Sequence, residues 1–187
     1  MEILKIFTYT GCTKDYWEHI MLYPSNEDSV AVKGYGVDDS NPENAERQFK
    51  AMAKYYGNEN KNPFNQYMVS LTKETAPDAE TAMAINEKFL EPLKEDHQVL
   101  AGVHKKHRDY SDFHLHDYVS TTNIKNGRML YADNKTNFAM AQRLADITQK
   151  EVMLQIGDDN NSGNNSTDDD NAKKPFKKVF KPHKTKE

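Results

Sequence analysis

The chain has 187 residues, of which 36% are apolar and 29% charged, with a formal net charge of −4. That length supports one sizeable core rather than two, and the acidic balance disfavours a general polyanion binder unless positive charge is concentrated locally. A single cysteine, Cys12, excludes an internal disulfide and a cysteine-built zinc finger or ribbon, and it fits a reducing cytoplasm.

In chain order, Met1 to Thr10 is β-rich and apolar and predicts a strand that stops at Gly11. The same segment lacks the long apolar run of a signal peptide, and nowhere do about eighteen apolar residues run together, so a cytoplasmic protein with no membrane partner is expected. Asp15 to Leu22 carries Trp17, Ile20 and Met21 at helical spacing, and Pro24 follows it. Val30 to Val37 reads as extended. Ser40-Asn41-Pro42-Glu43 predicts a capping box with Ser40 as N-cap, leading into a helix whose stripe is Ala45, Phe49, Met52, Ala53 and Tyr56 and whose stop is Gly57.

Phe64 to Thr72 is a predicted strand, and Asp78 to Leu90 a predicted helix. Strands follow at His97 to His104 and His114 to Thr122. Asn126-Gly127 is the strongest turn signal in the chain and predicts a hairpin into Arg128 to Tyr131. Thr136 to Lys150 reads as a last helix and Val152 to Ile156 as a last strand. The order is that of an α/β (α+β) domain: a mainly antiparallel sheet with helices packed on it. From residue 158 onward few apolar side chains remain, so residues 1–157 are taken as the folded domain and 158–187 as a disordered polar tail, basic at its end and dispensable for folding.

The chemistry is concentrated in the histidines. Seven are present, and His104, His107, His114 and His116 fall within thirteen residues. Strand alternation puts His114 and His116 on one face with Leu115 on the other. Two neighbouring neutral imidazoles suit a borderline divalent cation, and a third from the adjacent strand would leave coordination positions open, as catalytic sites do. Residue chemistry alone supports a metal site without naming a substrate.

The segments HQVLAGVH, HRDYSDFHLH and NIKNGRMLY, in that order, resemble the third motif of plasmid mobilisation relaxases, a branch of the histidine-hydrophobe-histidine endonucleases. YMVSLTKE, Tyr67 to Glu74, resembles their second motif, with Leu71 where Phe is usual, and GYGVDDSNPENAERQF resembles the stretch before it. The resemblance covers about residues 1–157. It implies a divalent metal ion, Mn²⁺ or Mg²⁺, held by His114, His116 and one further histidine. Family spacing selects His107 for that place, with Asp109 two residues on, whereas strand register selects His104, the reading favoured here. Ser120 stands where many relaxases have Asn, and Asn123 matches a second Asn of the pattern.

The family places its nucleophilic tyrosine at the end of the first helix, which selects Tyr23; Tyr16 is the rival, and Tyr9 falls in the first strand. The implied reaction is site-specific nicking and rejoining of single-stranded DNA at an origin of transfer, through a 5′-phosphotyrosine. Asp109 is expected in the catalytic set, and Asp109, Asp112 or Glu74 could orient a ligand histidine. Lys105, Lys106 and Arg108 form the densest basic patch, which Lys125 and Arg128 could extend along DNA. Accessory mobilisation or coupling proteins are implied partners. A rolling-circle replication initiator with the same chemistry, a metal-containing DNA-binding accessory protein without activity, and a hydrolase using metal-bound water are the alternatives. A covalent DNA adduct separates the nickases from the last two.

Overall fold

The computed structural model describes residues 1–8, 23–26, 28–105, 113–158 and 176–184. A mixed seven-stranded sheet organises them. Its strands are β1 (Glu2–Thr8), β2 (Ser29–Tyr35), β3 (Phe64–Leu71), β4 (His97–Lys105), β5 (Phe113–Asn123), β6 (Val152–Asp158) and β7 (Phe176–Phe180), in the order β2-β4-β5-β3-β1-β6-β7. Every pairing is antiparallel except β1 with β6. The α/β class and the mainly antiparallel sheet expected from the element order are both observed.

Three helices lie among the described residues: α1 (Pro42–Tyr55), α2 (Ala79–Lys94) and α3 (Asn134–Thr148). Alternation along the strands sorts the molecule into two unequal layers. Leu4 and Ile6 of β1, Tyr67, Val69 and Leu71 of β3, Val99, Ala101 and Val103 of β4, and Leu115 and Val119 of β5 form the main core with Phe89 and Leu90 of α2 and Leu144 of α3. The opposite face holds a small cluster, Phe49 of α1 with Phe64 and Tyr118, and beyond it polar and apolar side chains are mixed. The histidines are on this second face.

Local chemistry sets the helix ends. Asn41, not Ser40, is the N-cap of α1, its side chain accepting from the Glu43 amide at 2.9 Å. Pro42 occupies the first helical position, where a missing N–H costs nothing, and this shifts the cap one residue on. At the other end Gly57 takes φ +69°, and Gly57 N–H and Asn58 N–H donate to the carbonyls of Lys54 and Ala53, the two bonds of a Schellman ending. Helix α2 runs four residues past its expected end because the carbonyl that Pro92 leaves without an amide finds another donor. Lys88 O, four residues before the proline, accepts Nε and Nη2 of Arg143 from α3 at 2.9 and 2.6 Å. The proline therefore docks two helices instead of breaking one.

Two further expectations are corrected. After β5 the chain does turn back, with Leu130 N–H donating to Thr121 O and Asn123 N–H to Arg128 O. Of the two turn residues, however, only Gly127 has positive φ, and Asn123 Oδ1 accepts the amides of Lys125 and Asn126. The connection is thus a capped loop, not a two-residue hairpin turn. Residues 176–180, by composition part of a disordered tail, form β7, paired with β6 from Val152↔Phe180 to Ile156↔Phe176. Phe180 is buried against Phe138 at a centroid separation of 5.5 Å. Phe176, Val179 and Phe180, spaced along a short strand, supply enough apolar surface once an open sheet edge is available. The expected helix at 15–22 lies outside the described residues.

Candidate active site

Register brings the histidines together. His104 on β4 is directly opposite His114 on β5, and Gly102 is opposite His116. On the other side of β5, His114 faces Ser70 and His116 faces Met68 of β3. Directly paired residues share a face, so His104, His114 and His116 project together from the face opposite the main core.

Neighbours on that face hold the rings. Ser70 Oγ is 3.2 Å from His114 Nδ1, and Gln66 Nε2 is 3.4 Å from His116 Nδ1. A hydroxyl can donate or accept, whereas a carboxamide nitrogen only donates. Accepting from Nδ1–H, Ser70 Oγ would fix the His114 tautomer that ligates through Nε2, while Gln66 Nε2 donates to His116 Nδ1 and holds that ring in place. Burial, followed by the nearby His104 and His114, pushes His116 down to about 3. It is therefore a neutral imidazole, the form a metal requires.

Tyr23 sits over this row. It opens a 3₁₀ turn, Tyr23–Ser25, and its ring centroid is 5.1 Å from that of His104 and 4.8 Å from that of His116; the two imidazoles are 4.6 Å apart. Tyr23 remains 45% exposed. The turn can lie this close because position 102 has no side chain: a Cβ there would come within 2.0 Å of Pro24 O. The same carbonyl is 3.1 Å from His104 Nε2, an acceptor for that ring's N–H. Gly102, Pro24 and His104 thus latch the tyrosine turn onto the sheet.

Three imidazoles on one face are a fitting donor set for a divalent ion, and Ser70 and Gln66 supply orienting partners. Among the described residues, however, no three His, Cys, Asp or Glu side chains converge closely enough to hold one, and His104 Nε2 is turned toward Pro24.

A family model described as "Relaxase: MobA/VirD2-like, nuclease domain" matches residues 16–153. The chain belongs to that family. No curated protein matches this sequence. Among solved structures the relaxase domain is similar to one described as the conjugative relaxase TrwC in complex with oriT DNA, metal-free, at 13% identity and a TM-score of 0.46. The match covers 78% of this chain and 66% of that one, so the chain spans just under two thirds of its length.

Of the residues singled out from sequence, the relaxase domain brings together Tyr23, His104, His114 and His116, with Lys105 exposed at the end of β4. His107, Asp109, Asp112, Lys106, Arg108, Tyr9 and Tyr16 lie outside the described residues. Glu74 is elsewhere engaged: its carboxylate pairs with Lys150 at 2.9 Å, which lowers its pKa. The Arg128 carbonyl accepts from Asn123 N–H at the far end of β5, and Asn123 is seven residues along the strand from His116, roughly 24 Å away at about 3.4 Å each. Lys125, beside it, is paired with Asp96 at 2.6 Å. Ser120 is buried under Thr122 N–H, and Asn123 caps its own loop.

Sequence reasoning missed Ser70, Gln66, Gly102 and Pro24. Alternation in Phe64 to Leu71 does put Gln66, Met68 and Ser70 on one face, but only the register of β3 on β5 reveals which histidine each one meets. It also missed Asp117. This residue is buried on the core face beside His116 in sequence, accepts from Asn86 Nδ2 at 2.6 Å, and is pushed up to about 8 by burial against the lowering effect of that bond. It therefore holds its proton at neutral pH.

Proposed function

We propose that this chain nicks and rejoins single-stranded DNA at an origin of transfer, with Tyr23 as nucleophile. The observation that carries the reading is the position of the Tyr23 ring against His104 and His116, on the face that also bears His114, in a chain of the relaxase family.

The Tyr23 oxygen would attack the scissile phosphorus in line. The O–P bond to tyrosine forms as the bond to the 3′ oxygen breaks, the phenolic proton passes to a base, and the departing 3′ oxygen ends as a hydroxyl. The phosphodiester energy is kept in the 5′-phosphotyrosine, so a 3′-hydroxyl can reverse the step and rejoin the strand. His114, His116 and, through the ring nitrogen that Pro24 O does not hold, His104 are proposed to draw together on a divalent ion, Mn²⁺ or Mg²⁺, which when bound supplies positive charge to the phosphate oxygens. Ser70 would keep His114 in the tautomer that ligates through Nε2, and Gln66 holds the His116 ring in place. Gly102 and Pro24 hold the tyrosine turn within reach of the same phosphate, so positioning is set by the fold before substrate arrives. Asp109, two residues after His107, is proposed to orient a histidine, and Lys105, Lys106 and Arg108 to hold DNA phosphates.

The test is incubation of the full chain with labelled single-stranded origin oligonucleotides and Mn²⁺. A protein–DNA band that survives denaturation is expected. Cleavage without that band would replace the tyrosine mechanism with attack by water.

A further inference from the structure

The histidine row continues across the whole sheet. His116 on β5 faces Met68 on β3, Met68 faces Lys5 on β1, Lys5 faces Gln155 on β6, and Gln155 faces Lys177 on β7. A parallel row runs His114, Ser70, Ile3, Met153, Val179 through the same pairings. Both rows are on the face opposite the main core. Four strand steps of ~4.8 Å put Lys177 about 19 Å from the histidines, in line with them.

Charge and cover on this face are one-sided. Among the side chains that β1, β3, β6 and β7 direct there, Lys5 and Lys177 are cations and none is a carboxylate. Neither lysine is in an ion pair among the described residues, whereas Lys181 is bound to Glu151 and Lys178 lies over the Phe138 and Phe180 rings on the helix side. Met68, Lys5 and Gln155 are half-buried and Lys177 and Val179 exposed. The surface is thus a shallow apolar floor with amide and ammonium groups set along it. Helix α3 packs on β6 and β7 from the other side.

We infer that this row is a track for single-stranded DNA leading away from the tyrosine, with Lys5 and Lys177 holding phosphates and β7 a working part of the DNA surface. The inference rests on the nicking reading above. Lys5, Gln155 and Lys177 all fall outside the residues 16–153 that match the family model, so the track is a feature of this chain's own flanking strands. A flexible polyanion with apolar bases matches such a surface: the lysines meet the backbone, and the methionine, isoleucine and valine side chains meet base faces.

Binding of fluorescein-labelled oligo(dT) to the full chain, titrated with salt, tests it. The Lys5→Gln/Lys177→Gln double variant should bind severalfold more weakly. Its slope of log K against log salt should be shallower by about 1.4, at ~0.7 for each single-strand phosphate no longer neutralised. Lys177→Gln alone should show about half of that change, and Lys135→Gln, on the exposed start of α3, none. An unchanged slope in the double variant, beside a wild type that binds and forms the covalent adduct, overturns the track and leaves the nicking reading standing. A wild type that binds no single strand overturns both. Melting temperatures within a degree or two of wild type would show that the variants remain folded.

Discussion

At the scale of single residues, the proposed metal site depends on how its imidazoles are held. His114 and His116 face the same way, and each has its Nδ1 beside a β3 side chain that can fix it. Replacing both with Ala should abolish Mn²⁺ binding by calorimetry with the circular dichroism nearly unchanged. Ser70→Ala should weaken Mn²⁺ binding about tenfold, the usual cost of losing an orienting partner. Undiminished binding in the double histidine variant would remove the metal site. His97 is a different kind of histidine. It is buried at the start of β4, its Nδ1 has no partner, and burial lowers its pKa although nearby carbonyls and Asp96 oppose the shift. In the unfolded chain it gains a proton below about pH 6.5, while the folded chain resists. Its contribution is therefore present above the unfolded pKa and is lost as pH falls through the folded one. The melting temperature of the wild type should drop on acidification below about pH 6.5, and that of His97→Gln should drop less. Equal drops would mean that His97 is hydrated.

At the scale of elements, the tyrosine turn on β4 depends on a missing side chain. Gly102→Ala would drive a methyl into the Pro24 carbonyl, 2.0 Å from where its Cβ must sit, and the turn would have to lift off the sheet. A displacement of an ångström at a reacting group costs on the order of a hundredfold. Adduct formation should therefore fall by at least tenfold while oligo(dT) binding changes little, and wild-type rates in this variant would show that the latch is unimportant. Elements are also where the sequence is most legible. The apolar alternation in HQVLAGVH and HLHDYVSTT locates β4 and β5, and Asn123 to Arg128 marks the turn after them. What stays hidden depends on partners distant in the chain. Pro92 looks like a helix end because nothing near it shows that Arg143 will take the Lys88 carbonyl, and the roles of Ser70 and Gln66 emerge only when β3 is registered on β5.

At the scale of the molecule, the sheet is longer than composition suggests. The expectation that everything past residue 157 is dispensable rests on average polarity, which three apolar side chains in five residues escape when an open strand edge waits for them. Phe180→Ala should cost about 3 kcal/mol and lower the melting temperature by ~6–12 °C, at 2–4 °C per kcal/mol for a domain of this size. A chain ending at Gly157 should melt at least as early. An unchanged midpoint in both would show that β7 does not dock in solution. With β7 in place, the histidine row ends at a basic sheet edge, and Tyr23 stands at the other end of that row.

The assignment of Tyr23 as nucleophile is tested most directly by trapping the adduct on a single-stranded origin oligonucleotide with Mn²⁺ and mapping it by mass spectrometry. Wild type should carry a nucleotide on Tyr23 within the 11–33 segment. Tyr23→Phe, which removes only the phenolic oxygen, should bind DNA and metal normally and form no adduct, and Tyr16→Phe should cleave to within a modest factor of wild type. A nucleotide on Tyr16, or an adduct that persists in Tyr23→Phe, would contradict the assignment.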